Sequence, residues 1–198
     1  MDIKIVKANE TEGNIKKQIS EIFVEGFWQW LKYFSKDKTR LINAFEHIFQ
    51  LDSFYVAILD EKVVGITACT NGKKPCVHLQ AKVLRKNLGF VAGSIAASVL
   101  RKELENHPYP FELEPTTGSI EFVATHMDYR GKGVASTLIE EIIKNNEYKE
   151  FVLEVADTNT NAVKLYEKLG FVEIKRVKMH NSKRSGINFL VYMKYIKY

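Results

Sequence analysis

A chain of 198 residues with 45% hydrophobic and 27% charged side chains has room for one good-sized core, so a single domain over 1–198 is expected. Its 29 Lys and Arg residues are interleaved with 24 Asp and Glu, which excludes the basic stripe of a nucleic-acid binder, and the formal charge of +5 suits a small anionic ligand. No apolar run reaches the roughly 18 residues of a membrane span, and Cys69 and Cys76 are too few for a disulfide framework or a metal cluster.

The opening MDIKIVKANETEG lacks the apolar core and cleavage site of a signal peptide, so a cytoplasmic protein with free thiols is expected. IKIVKA reads as a short strand. Helical spacing of Ile15, Ile19, Ile22, Phe23, Trp30, Leu31 and Phe34 predicts a helix over 14–34, and Leu41, Ile42, Phe45, Ile48 and Phe49 predict another over 37–51. Trp28, Trp30, Tyr33 and Phe34 read for the most part as a helix core face. SFYVAILDEKVVGITAC is a hairpin turning at Asp60-Glu61.

Residues 77–106 read as helical with breaks near Gly89 and Gly93. Leu84, Leu88, Val91, Ile95, Val99, Leu100 and Leu104 form an apolar face to be buried. HPYPFELEPTTG, with three prolines, is a loop. A strand over 119–126 runs through a polar turn into a helix from 133, whose Val134, Ala135, Leu138, Ile139, Ile142 and Ile143 share a face. FVLEVA (151–156) is a strand, NTNAVKLYEKLG a helix stopped by Gly170, and strands near 171–180 and 187–196 flank a basic turn, NSKRSG. The order β-α-α-β-β-(α)-β-α-β-α-β-β predicts an α/β fold around a mixed sheet. His47, His78, His107 and His180 have no spacing that suggests a metal site.

The turn before the helix at 133 carries the chemistry. A helix start offers unpaired N–H groups and the positive end of a dipole, which bind anions. Gly131 and Gly133 let a ligand approach the backbone, while Arg130, Lys132 and Ser136 add charge and a hydroxyl. The stretch is not a Walker A loop, because Gly133 follows Lys132. Nor is it a dinucleotide fingerprint, because Ser136 stands where a third glycine is needed. Glycines placed for turn geometry alone are the competing reading.

VATHMDYRGKGVASTL resembles the acetyl-CoA signature of the GNAT superfamily of N-acetyltransferases, Arg/Gln-x-x-Gly-x-Gly/Ala, met by Arg130, Gly133 and Ala135. TNTNAVKLYEKLGF resembles the second family signature, and the two lie in the family's order and separation. Met127 stands where the family often has proline and Thr125 where it has an aliphatic residue. The connection 71–118 is longer than usual and makes a helical insertion (about 73–118) between the third and fourth strands.

The resemblance implies a GNAT-like fold with acetyl-CoA lying in a splay between strands 119–126 and 151–156. The pyrophosphate would meet the amides of Gly131, Lys132, Gly133, Val134, Ala135 and Ser136, beside Arg130. The pantetheine arm would follow the backbone of Val123 and Thr125. Asn159, Asn161 and Ala162 match positions on the cofactor's other side, though Asn159 also reads as a helix N-cap. Tyr166 matches a tyrosine that protonates the departing thiolate, and its helical spacing also suits a core tyrosine. Glu121 matches a base that works through water, or is an exposed strand-end carboxylate; strict alternation puts it on the face of Val123 and Thr125. A backbone N–H of strand 119–126 would stabilise the developing oxyanion.

The expected activity is acetyl transfer from acetyl-CoA to a primary amine by direct attack in a ternary complex. A small-molecule amine is favoured over a protein N-terminus or lysine, and no metal, membrane or nucleic-acid partner is expected. A catalytically silent acyl-CoA sensor is the alternative, against which the Tyr166 hydroxyl argues. The resemblance also implies that the early helices lie over the acceptor site, where Trp28, Trp30, Tyr33 and Phe34 would wall its pocket, and the insertion is expected to wall that pocket or to make a homodimer contact.

Overall fold

The computed structural model describes residues 2–105, 108–179 and 182–197. β1 (Lys4–Lys7) leads through a short 3-10 turn to α1 (Ile15–Gly26), α2 (Trp28–Leu31) and α3 (Lys38–Phe45). The hairpin follows as β2 (Phe54–Leu59) and β3 (Lys62–Thr70). Asp60 and Glu61 both adopt positive φ, 48° and 61°, the turn whose twist matches paired strands. The insertion holds α4 (Ala81–Leu88), α5 (Phe90–Leu100) and a π-helical turn, Arg101–Glu105. β4 (Thr117–Thr125), α6 (Val134–Asn145), β5 (Glu150–Ala156) and α7 (Thr160–Lys168) come next. β6 (Val172–Lys178), the short α8 (Ser182–Ser185) and β7 (Phe189–Ile196) complete the order.

The seven strands form one sheet in the order β1-β2-β3-β4-β5-β7-β6. Neighbours are antiparallel except β4 and β5, which are joined through α6 and run parallel, as a crossover connection requires. One face carries α1 to α5 over a core that includes Ile19, Phe23, Phe45, Phe49 and Phe54; the other carries α6 and α7 over Ile120, Leu138, Phe151 and Phe171. Gly65 of β3 seats α6: a Cβ there would stand 2.5 Å from Val134 Cγ1. The first turn of α6 therefore lies directly on the sheet.

Several expectations change. The helix over 37–51 ends at Phe45, with Phe49 bridging Val77 instead, and the basic turn holds the short α8. The helix over 14–34 ends at Gly26, where a Cβ would meet Ala124 Cβ at 2.9 Å; α1 comes down onto β4 and a new turn begins. Gly93 breaks nothing. It lies inside α5, where a Cβ would be 2.5 Å from Arg85 Cα, so it permits the close crossing of α4 and α5, and only Gly89 (φ +89°) separates them. The apolar face of the insertion also divides: Leu84, Leu88 and Leu100 are buried with Ala96 and Ala97, whereas Val91, Ile95 and Val99 are exposed, as is Phe90. Gly93, Ala96 and Ala97 face inward because the close crossing leaves room only for small side chains.

His107, His180 and Asn181, the first residue of the basic run, lie outside the described residues. Among the described residues, no helix is long and apolar enough to cross a membrane.

Candidate active site

β4 and β5 pair from Thr117↔Glu150 to Ile120↔Leu153 and no further, although β4 continues to Thr125 and β5 to Ala156. The cause lies in β4. Its register against β3 passes from Ala68↔Glu121 to Ile66↔Ala124, so Phe122 and Val123 together oppose Thr67. Phe122 takes the extra length at φ +54°. Such a bulge bends its strand and leaves a wedge between β4 and β5.

The bulge also overturns strict alternation. Phe122 and Ala124 pack on the α1 side and Val123 on the α6 side with Ile120, so Glu121 does not share a face with Val123. The carboxylate sits instead on the α1 side of the sheet, beside Cys76.

At the mouth of the wedge, Gly131 (φ +72°) and Gly133 (φ +85°) hold the turn in left-handed backbone, and a Cβ on either would meet nothing within 4 Å. Helical bonding begins with Thr137 N–H donating to the Gly133 carbonyl at 3.0 Å. Among the described residues, no backbone hydrogen bond is donated by the N–H groups of Gly131 to Ser136. An open cradle of unpaired donors at a helix start fits a pyrophosphate. Val134 is buried, so only its backbone is available; Arg130 and Lys132 are exposed. Arg130 Nε donates to the Thr125 carbonyl at 3.2 Å, and Lys132 Nζ lies 5.2 Å from the centre of the Tyr129 ring. These contacts tie the turn to the end of β4.

Glu121 is not an exposed strand-end carboxylate. Ser119 Oγ and Thr70 Oγ1 each donate to its Oε1 at 3.0 Å, and Cys76 Sγ approaches Oε2 at 3.4 Å. Burial raises its pKa, the three donors pull the other way, and the charge of Glu154 works with burial. Tyr109, from the loop that closes the insertion, reaches Ser119 Oγ at 2.6 Å. Its ring meets Phe111 and Tyr192 edge-on or tilted, with centroids 5.5 and 5.8 Å away. Glu154 of β5 and Tyr192 of β7 are directly opposite in the sheet.

On the other side of the wedge, Val123, Val134, Ala162 and Tyr166 belong to one apolar cluster. Tyr166 is buried against Phe171, and burial alone pushes its hydroxyl well above the ordinary tyrosine pKa. Asn159 caps α7, accepting from Ala162 N–H at 3.3 Å, as the N-cap reading holds; Asn161 is exposed in the first turn. Trp28 and Phe34 are half-buried and pack against the core on the α1 side, Trp30 is half-buried and Tyr33 is exposed. Among the described residues, no group of three or more His, Cys, Asp or Glu could hold a metal ion.

Thr70, Tyr109, Ser119, Glu154 and Tyr192 escape a reading of the sequence. Ser119 alone had a local signal, its i−2 spacing from Glu121 on an ungapped stretch of strand. The others arrive from separate strands and from a loop.

The profile of the Acetyltransferase (GNAT) family matches residues 17–171. The chain is 32% identical over 130 residues to an N-alpha-acetyltransferase of Saccharolobus solfataricus, covering 64% of this chain and 60% of that protein. It is 38% identical over 63 residues to N-alpha-acetyltransferase 30 of Schizosaccharomyces pombe, covering 30% of this chain and 42% of that one. The chain thus spans less than two thirds of the length of either relative. An N-acetyltransferase structure from Staphylococcus aureus superposes with a TM-score of 0.62 at 18% identity over 97% of this chain and 100% of that chain, a likeness of fold.

Proposed function

Because the chain belongs to the acetyltransferase (GNAT) family, we propose that it transfers an acetyl group from acetyl-CoA to a primary amine by direct attack in a ternary complex. The observation that carries this reading is the wedge itself. Its mouth opens on the unpaired amides of Gly131 to Ser136, Glu121 stands on one side and Tyr166 on the other.

Acetyl-CoA supplies an activated acetyl thioester. In this reading Arg130, Lys132 and the amides of Gly131, Gly133, Val134, Ala135 and Ser136 hold its pyrophosphate. The edge of β4 at Val123 and Thr125, which has no partner in β5, offers backbone groups to the pantetheine arm and to the developing oxyanion. Ala162 closes the other side, with Asn161 at its rim, and Asn159 fixes the start of α7.

An alkylammonium has a pKa near 10, so transfer at neutral pH needs a base. Glu121 takes that role: three donors fix its carboxyl, and burial brings its pKa up toward the working range. Tyr166 stays protonated because of its burial and delivers its proton to the departing thiolate. A silent sensor would need neither group.

The acceptor favoured by the relatives' names is the α-amino group of a peptide or protein, and that proposal extends only to the shared segment. A small-molecule amine is the second reading, favoured by the Tyr109–Phe111 loop, which narrows this face against Tyr192. Free-thiol release from acetyl-CoA with N-terminal peptides, lysine peptides and small amines separates the readings. Release with peptides bearing a free α-amino group supports the first, and release confined to small amines the second. Acetyl-CoA binding without release above hydrolysis for every amine would leave only the sensor.

A further inference from the structure

We infer that Tyr109, from the loop closing the insertion, is a positioning residue that holds Glu121 ready for proton transfer through Ser119. The inference rests on the reading of Glu121 as base. A serine hydroxyl has one proton to donate, and that of Ser119 goes to Glu121 Oε1 at 3.0 Å. The 2.6 Å contact between Tyr109 and Ser119 therefore runs with Tyr109 as donor. The result is a directed chain: Tyr109 O–H to Ser119 Oγ, then Ser119 O–H to the carboxylate.

A parallel chain enters from β3. Gly72 N–H donates to Thr70 Oγ1 at 2.9 Å, and Thr70 donates to the same Oε1 at 3.0 Å. Both lone-pair directions of Oε1 are thereby taken. Among the described residues Oε2 meets only the weak Cys76 S–H donor at 3.4 Å, so it is the oxygen left to take a proton from an incoming ammonium. The chains set which oxygen reacts as well as where it points.

The loop that brings Tyr109 is fixed at several points. Lys175 Nζ donates to the Pro110 carbonyl at 2.7 Å, Leu113 packs where Gly72 has no Cβ, and Phe111 stacks edge-on to Tyr192 at 5.6 Å. Burial raises the Tyr109 pKa, so its phenol stays a donor. The titratable groups facing Glu121 are Cys76 from the β3 side, Tyr109 from the insertion and Glu154 from β5, with Tyr192 of β7 against Glu154; the Cys69 thiol lies across the sheet, on the α6 side. The insertion acts on the site through its last loop.

Tyr109→Phe keeps the ring packing and removes the donor. Ser119, no longer polarised, becomes a poorer donor to the carboxylate, and the charged form of Glu121 loses support. The test measures the Glu121 midpoint directly, by carbon NMR of protein labelled at glutamate side-chain carboxyls, with Glu121→Gln identifying the signal. Expected is an upward shift of about half a pH unit in Tyr109→Phe, similar or larger in Ser119→Ala, and no further shift in the double variant. The acid limb of kcat for the best amine moves up by the same amount, with the KM for acetyl-CoA unchanged. If Ser119→Ala moves the midpoint and Tyr109→Phe moves neither it nor the acid limb, the inference fails while acetyl transfer stands. If both variants move the midpoint but the wild type acetylates no amine, the base reading fails and takes the positioning role with it.

Discussion

Ile120 of β4 and Leu153 of β5 are the last partners of the parallel pair; beyond them the strands part. Two residues later Phe122 adopts left-handed backbone, and the aromatic rings of Phe23, Phe27 and Phe54 surround its side chain. A bulky residue pays for positive φ only where packing holds it, and this cluster does so. The core on the α1 side thus keeps the wedge open.

Gly133→Val places a β-branched side chain at φ +85°, a strain of about 1–2 kcal/mol that re-aims the first amides of α6. Acetyl-CoA affinity should fall by roughly tenfold or more. Gly133→Asn, which tolerates left-handed backbone, should retain most of it. Arg130→Ala should cost less than Gly133→Val, because the guanidinium is exposed and screened by salt. Calorimetry on the folded variants checks the order, and an unchanged affinity in Gly133→Val would remove the turn from the cofactor site.

Tyr166→Phe keeps the ring against Phe171 and removes the proton donor. Turnover should drop by about a hundredfold with the acetyl-CoA dissociation constant near wild type. A wild-type rate would return Tyr166 to a packing role. A lost fold, read by circular dichroism, is not expected, since the phenylalanine ring keeps the contact with Phe171.

Glu121 holds its proton more tightly in the folded protein than in the unfolded chain, where the carboxyl titrates near 4.5. Between that value and its raised folded pKa the native state carries the extra proton, so this group's contribution to stability falls as pH rises. Glu121→Gln removes the buried charge and keeps an oxygen for Ser119 and Thr70. Its melting temperature should equal or exceed wild type at about pH 8, with the gap closing in acid. Its turnover should be low at neutral pH and partly restored in alkali, where free amine is abundant. A variant less stable than wild type at alkaline pH would contradict the burial argument.

Glu150 shows the opposite sign. The hydroxyl of Thr117 and then the ammonium of Lys194, 2.9 and 3.0 Å from its two oxygens, hold its carboxyl below the ordinary 4.5. Its contribution is present above that value and is lost as pH falls through the lower folded pKa. Lys194→Met should destabilise by about 1–2 kcal/mol at neutral pH and flatten the acid loss of stability, read from urea midpoints. Thr117 and Glu150 form the first rung of the parallel pair, at the end away from the wedge, so acetyl-CoA affinity should hardly change. A matching loss of affinity would mean that the wedge is set by this rung.

Local signals in the sequence determined most of the elements and the face of each that is buried. The Asp60-Glu61 hairpin, the amphipathic α6 and the glycine turn before it depend on residues within a few positions of one another, so spacing and turn chemistry suffice. Two family-like segments, met in order, carried the fold class. What only the tertiary structure decided depends on residues far apart in the chain. Gly93 reads as a breaker until α4 is seen crossing it, and Val91, Ile95 and Val99 read as core until Ala96 and Ala97 take the inner face. Glu121 reads as one of an alternating series until the bulge at Phe122, supported by rings from α1 and β2, turns Val123 to the other side. Its hydroxyl donors come from β3 and β4, and the tyrosine behind Ser119 comes from a loop ten residues earlier. Such a cluster leaves no periodic trace in one dimension, because its members meet only when the sheet has assembled and brought their strands side by side.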